Sequence, residues 1–253
     1  MSLIRYKEKR DLKITPEPGG GKPKGGSLVF VIQKHAATRL HYDFRLEMEG
    51  VLKSWAVPKG PSTESKVKRL AMMVEDHPYD YKDFEGAIPK GEYGGGTVIV
   101  WDNGTYEPLE KIEGKKAQEK HLLKQLKDGS IKIVMHGKKM KGEWALVRTH
   151  QSENSWLLIK HNDKYASEND ITLKDKSVSS GKTLEQIAKA LHSEDFSPGT
   201  AKLIAEQKST SKKTTAAKSS PPKNGTAKKS NIKAAVKKSV SKSTAKLAGK
   251  KKA

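Results

Sequence analysis

The 253-residue chain has no cysteine, which excludes disulfides and thiolate metal sites and makes an intracellular setting the expectation. No apolar run approaches the roughly 18 residues of a membrane helix, and Met1 to Lys13 lacks the apolar centre of a signal peptide. A soluble, cytoplasmic, nucleoid-associated protein without a membrane partner is therefore expected. Gly-x-Ser-x-Gly, His-Glu-x-x-His, a phosphate-binding P-loop and a dinucleotide fingerprint are all missing, which sets aside several large enzyme classes. Hydrophobic residues are scarce at 34%, low for a compact globule, and the shortage is uneven. Gln207 to Ala253 has no acid and no aromatic residue, but 15 lysines in a background of Ala, Ser and Thr. Subtracting those lysines from the formal charge of +21 leaves about +6 for residues 1–206. That tail is either solvated linker or a sequence-independent binder of nucleic acid that acts by displacing counterions; its lysine spacing favours the second.

What is present reads mainly as strands. Residues 1–27 read as a flexible arm with a Gly-Gly-Gly-Lys-Pro-Lys-Gly-Gly run, or one that packs against the domain through Arg10, Asp11 and Glu17. Strands are expected over 28–34, 39–48, 51–57, 69–75, 97–101, 105–107, 130–136, 143–148 and 156–161. Glu49-Gly50 and Asp102-Asn103-Gly104 read as hairpin turns. One helix is expected over 115–126, and another starts at Thr183, where Thr-Leu-Glu-Gln forms a capping box ahead of Leu184, Ile187, Ala188 and Leu191. With short turns and no βαβ rhythm, the fold class is mainly β: a compact barrel over 28–165 with one or two flanking helices. A linker with a short helix follows over 166–205, then a disordered basic C-terminal tail over 206–253.

The stretch Phe30 to Met48 organises the rest. From Arg39 onward, Leu40, Tyr42, Phe44, Leu46 and Met48 alternate with Arg39, His41, Asp43, Arg45 and Glu47. His41 and Asp43 therefore share a strand face, which suits two ligands of one metal ion, and His35 can join them as a third. Arg45 continues the row toward an anion. The plainer alternative is a solvated strand face. His-x-Asp also begins the facial triad of iron oxygenases, with His77, His136 or His161 as the second imidazole, so the spacing leaves hydrolysis and oxidation both open. The cations Arg39, Arg45, Lys59 and Arg69 on or beside these strands favour a phosphate substrate. His77, fixed by Pro78, is either a turn residue or a phosphate ligand or general acid. The glycine-rich run 86–96 is a tight turn or a cradle of backbone N–H groups.

Phe30-Val-Ile-Gln-Lys-His-Ala-Ala-Thr-Arg-Leu-His-Tyr-Asp-Phe-Arg-Leu46 resembles the signature of the 3′-phosphoesterase family, the module at the N-terminus of many bacterial DNA ligase D proteins. Trp55-Ala-Val-Pro-Lys-Gly-Pro61, Glu75-Asp-His-Pro-Tyr-Asp-Tyr81, Phe84-Glu-Gly-Ala-Ile-Pro-Lys-Gly-Glu-Tyr-Gly94 and Lys141-Gly-Glu-Trp-Ala-Leu-Val-Arg148 extend the likeness across residues 5–165. The resemblance implies a β-barrel and Mn²⁺-dependent trimming of DNA 3′ ends: a terminal ribonucleoside is removed, then the 3′-phosphate. It implies His35, His41 and Asp43 as metal ligands, and Arg45 with His77 at the phosphate beside Tyr81. Arg10, Asp11, Glu17, Gln33, Lys59 and Arg69 match positions that support activity. Separate ligase, polymerase and Ku proteins of end joining are the implied partners. Neither the ligase and polymerase modules nor a Lys-x-Asp-Gly motif occurs, so a stand-alone version with a DNA-retaining lysine tail is the expectation. The rival readings are a non-enzymatic basic DNA-binding protein and a facial-triad iron oxygenase.

Overall fold

The structure is a computed structural model that describes residues 3–191. The alternation of β2 (Leu40–Met48) sends Tyr42, Phe44, Leu46 and Met48 into the main core. β1 (Leu28–Ala36) adds Leu28, Phe30 and Ile32 from one side, and β3 (Val51–Val57) adds Trp55 and Val57 from the other. β2 and β3 are joined by Glu49 and Gly50, both at positive φ (51° and 77°), the type I′ turn that the dipeptide predicts.

The remaining strands are β4 (Lys68–Met73), β5 (His77–Pro78), β6 (Gly86–Ile88), β7 (Gly96–Pro108), β8 (Ser130–Gly137), β9 (Lys141–Arg148) and β10 (Ser155–Lys160). Eight of them close a ring in the order β1-β2-β3-β4-β10-β9-β8-β7 and back to β1, every neighbour antiparallel. All four tryptophans, Trp55, Trp101, Trp144 and Trp156, are buried inside this barrel. Side chains alternating inward and outward along each strand, with an aromatic filling, are what a small closed barrel requires.

One sequence expectation is corrected. Asp102-Asn103-Gly104 does not turn the chain back; residues 96–108 form one continuous strand. β1 stays paired along its whole length, with a register shift between Ile32 and Gln33 that absorbs an extra residue beside Asp102. The Asp102 carboxylate accepts the N–H groups of Lys138, Lys139 and Met140 (3.0, 3.0 and 2.7 Å) and so holds the β8–β9 turn. At Gly104 a Cβ would collide with the His136 carbonyl, so glycine serves close strand packing there instead of reversal.

α2 (Lys115–Asp128) extends two residues past the expected Leu126 and packs Leu122 into the barrel core. α3 (Leu184–Ala190) has the expected capping box between Thr183 and Gln186, and seats Leu184 on Ala36 and Ile99. Within the N-terminal arm, α1 (Ile4–Glu8) is a short helix. Tyr6 of this helix joins Val31, Leu52, Tyr81, Phe84, Ile88, Val98 and Val100 in a second cluster, on the outside of the barrel wall. The arm and the excursion 77–88 thus roof the outer face of β1, β2 and β3. The expected tail, 206–253, and residues 192–205 of the linker lie outside the described residues. Among the described residues, no helix is long and apolar enough to cross a membrane.

Candidate metal centre and active site

That roof changes the meaning of the polar row on β2. A strand face bearing His41, Asp43 and Arg45 is ordinarily wet, yet Asp43 and Arg45 are buried here, Arg45 to 2% exposure. Buried charges persist when they are paired and hydrogen-bonded, and the partners can be named one by one.

The pairing register puts His35 opposite His41, Gln33 opposite Asp43, and Asp43 opposite Ala56. His35, His41 and Asp43 each offer one ligand atom, and these atoms all lie within 4.8 Å of one another. The outward nitrogens of both imidazoles are spoken for. His35 donates Nε2–H to the Gly94 carbonyl (2.8 Å), and His41 donates Nδ1–H to the Arg39 carbonyl (2.9 Å). This leaves His35 Nδ1 and His41 Nε2 facing Asp43 Oδ2, at 3.4 and 3.7 Å. Imidazoles oriented by carbonyls at one nitrogen and converging with a carboxylate at the other fit a divalent transition metal. Burial alone would raise the Asp43 carboxyl; the Arg45 guanidinium, with His35 and His41, reverses this and holds it well below the usual carboxylate range. The carboxylate is therefore charged, as a ligand must be.

Arg45 is fixed at three points. Its Nε donates to Gln33 Oε1 (2.8 Å), its Nη1 to Ser54 Oγ (2.8 Å), and its Nη2 lies 3.3 Å from Asp43 Oδ2. Gln33 is held in turn, donating to the carbonyls of Tyr81 and Phe84 (3.0 and 2.9 Å). A second buried network comes down from the arm. Arg10 donates to Glu17 (2.9 Å), to Glu75 (3.0 Å) and to Nε2 of His77 (3.2 Å). Tyr81 donates its hydroxyl to Glu17 (2.7 Å), and Thr15 donates to the other Glu17 oxygen (2.8 Å). His77 donates Nδ1–H to the Glu75 carbonyl (2.9 Å), so its Nε2 presents a lone pair. Burial first, then the charges of Arg45 and Arg10, push the His77 imidazole well below its ordinary value, so the ring is neutral at neutral pH. Burial and the Glu17 carboxylate push the Tyr81 phenol well up, so it stays a donor.

One pocket of about 200 Å³ is lined by Arg10, His35, His41, Asp43, Arg45, His77 and Tyr81 together. Gln33 and Glu17 stand behind its wall as supports for Arg45, Arg10 and Tyr81. The other sequence candidates lie apart from this lining. Asp11 is exposed and accepts from the Lys13 N–H, Lys59 is exposed after β3, and Arg69 sits on β4 opposite Leu158 of β10. His136 and His161 pair with Glu107 and Glu143 elsewhere on the barrel. The glycine-rich run reaches the site through the Gly94 carbonyl that orients His35. Glu75, Ser54 and Tyr6 were missed from sequence. Two signals were available: Glu75 stands two residues before His77, and counting outward from the Glu49-Gly50 turn sets Ser54 against Arg45. A larger depression of about 660 Å³, between the β8–β9 turn and Asp163–Tyr165, is lined by His136 and Glu143 but by no residue of the metal pocket.

Residues 33–148 match the family model of the DNA ligase D 3′-phosphoesterase domain. The chain is 49% identical over 166 residues to the multifunctional non-homologous end joining protein LigD of Pseudomonas aeruginosa, covering 64% of this chain and 19% of that protein. It is 48% identical over 157 residues to the LigD of Mycobacterium tuberculosis, covering 61% and 19%, and 43% over 168 residues to that of Mycolicibacterium smegmatis, covering 64% and 21%. The chain thus spans about a fifth of the length of these curated relatives.

Proposed function

Because residues 33–148 of this chain belong to the DNA ligase D 3′-phosphoesterase domain family, we propose that it trims DNA 3′ ends during end joining, removing a terminal ribonucleoside and then the 3′-phosphate to leave a hydroxyl. His35, His41 and Asp43 would hold the divalent metal, with Mn²⁺ suited to two imidazoles and a carboxylate. Such an ion acts as a Lewis acid toward a phosphate oxygen.

The observation that carries this reading is the charge balance of the pocket. Arg45 pairs with Asp43, Arg10 with Glu17, and Lys9 with Glu75, while His77 is neutral. The side chains therefore cancel one another, and a divalent cation supplies the net positive charge that a phosphate dianion needs. This account favours metal-dependent phosphate chemistry over a purely structural histidine–aspartate face. It also favours a hydrolase over an oxygenase, since Arg45 and Arg10 are fixed donors aimed at an anion.

Arg45 is held by hydrogen bonds through Nε and Nη1 and by its ion pair with Asp43, and its remaining N–H groups can serve phosphate oxygens without reorienting the side chain. Arg10 and Tyr81 line the same pocket and fix the ring of His77 from above and beside. His77 Nε2 can take up a proton from solvent when a phosphate oxygen takes over the Arg10 N–H it now accepts, and the imidazolium then donates to that phosphate. The substrate in this reading is a DNA end; ligase, polymerase and Ku proteins of end joining would act before or after it.

The test is a primer-template carrying a 3′-phosphate, incubated with the protein and Mn²⁺, then with EDTA. Release of phosphate with Mn²⁺ and none with EDTA is expected. Equal release in both, or none in either, overturns the reading.

A further inference from the structure

We propose that the groove adjoining the metal centre holds the DNA strand on the 5′ side of the reacting phosphate, with the Tyr93 ring stacked on the base nearest that phosphate. The inference rests on the reading of the site as one that acts on DNA 3′ ends, and adds where the strand lies and what grips it.

Tyr93 is a large aromatic left 46% exposed on the loop whose Gly94 carbonyl orients His35. It lines both the 200 Å³ pocket and a neighbouring groove of about 400 Å³, which share Val74 and Glu75 as well. The ring is not free to swing. Lys9 Nζ lies 4.6 Å from its centroid and donates to its hydroxyl (3.2 Å), and the Arg10 guanidinium lies 5.1 Å from the centroid. An exposed ring held by cations at the lip of a phosphate site is a platform for a base, because every base has a π face and stacking tolerates any sequence. An enzyme that trims broken ends needs that tolerance.

The charge of the groove chooses between the two parts of the substrate. Exposed Arg5 of α1 and Lys9 just after that helix line it, and Asn154 lines it from the β9–β10 connection. Its two acids are matched: Glu75 by Lys9 and Arg10 (both 3.0 Å), and Asp76 by Lys53 (2.6 Å). The strand 5′ of the reacting phosphate carries one negative charge per nucleotide and gains from Arg5. The departing nucleoside is uncharged and gains nothing from it.

The experiment uses the full chain and a strand ending in a 3′-phosphate, with 2-aminopurine as its last base, in EDTA so that no turnover occurs. Wild type and Tyr93→Phe are expected to quench the emission at saturation alike, and Tyr93→Ala to leave it unquenched. With the fluorophore five nucleotides upstream, at a position chosen as a control, the three proteins should give the same signal. With Mn²⁺, Tyr93→Ala should raise KM about ten-fold for 3′-phosphate ends and for ribonucleoside ends alike, while Tyr93→Phe does not. Arg5→Ala should lower the slope of log KM against log salt by about one contact's worth, roughly 0.7 to 0.9. Equal quenching by wild type and Tyr93→Ala overturns the proposal. So does a Tyr93→Ala defect confined to ribonucleoside ends, which would put the ring on the departing nucleoside. If no variant or wild type turns over, yet quenching still depends on the ring, the DNA-end chemistry falls and the strand groove stands.

Discussion

Arg45 shows how much of the site a single strand register dictates. Alternation along β2 sets it beside Asp43, and the two-residue turn at 49–50 sets it against Ser54, so both contacts are legible in the sequence itself. Its support by Gln33 is not, because that depends on Gln33 reaching the carbonyls of Tyr81 and Phe84, about fifty residues away in the chain. The Arg10–Glu17–Tyr81 network is hidden for the same reason: nothing in a polar arm says which wall it will cover. Asp43→Ala removes the one charged ligand of the metal group. Turnover of a 3′-phosphate end should drop at least about 100-fold, beyond the 10–100-fold typical of losing an outer partner, and bound Mn²⁺ should vanish from the purified protein while the circular dichroism spectrum persists. Wild-type metal content in that variant would remove Asp43 from the ligand set. His77 gives a pH signature. Its folded value is depressed, whereas the unfolded chain titrates near 6.5. Above about pH 6.5 both states are neutral at this residue and nothing is lost. Below it the unfolded chain binds a proton that the folded one refuses, so stability falls by up to about 1.4 kcal/mol per pH unit. Urea unfolding of wild type and His77→Gln, compared across that range, should show the smaller acid loss in the variant; parallel curves would mean that His77 is not the group responsible.

At the scale of elements, β7 carries the clearest lesson. Asp-Asn-Gly between two apolar segments is a strong hairpin signal, and local chemistry alone would make it one. Tertiary context wins because both neighbours, β1 and β8, continue to pair past this point, and because Asp102 finds three backbone donors in the β8–β9 turn. Burial, partly relieved by those N–H groups, leaves the Asp102 carboxyl above its ordinary value, so the ionised form is held at some cost. Asp102→Ala should lower unfolding free energy by about 2–4 kcal/mol, since it strands buried donors. Asp102→Asn keeps an acceptor oxygen and should lose clearly less. Chemical denaturation midpoints measure both, and equal losses would mean that charge, not acceptor geometry, holds the turn. The capping box of α3, by contrast, is written entirely in Thr183 and Gln186 and forms as their spacing predicts.

At the scale of the whole molecule, alternation with short turns announces a barrel, and the ring of eight strands bears that out. What alternation does not announce is that one outer wall will be roofed, which is why a strand face of histidine, aspartate and arginine reads equally well as wet surface. The lysines of 207–253 belong to this scale too, as charge rather than shape. Deleting them should flatten the salt dependence of DNA binding, each lost phosphate contact removing about 0.7 to 0.9 from the log–log slope. Titrations of the full and shortened chains over a range of salt would show it, and identical slopes would mean that the segment stays off the DNA. The seam between β4 and β10 has a further consequence, for synthesis. Arg69 of β4 pairs with Leu158 of β10, so two walls adjacent in the ring are made almost ninety residues apart. A ribosome that has not yet delivered Ser155–Lys160 holds a nascent chain whose β4 and β9 edges are both open, with Trp55 lacking Trp156 and Trp144 lacking Lys160. Closure has to wait for β10, and until it arrives the half-made wall is a natural client for a chaperone.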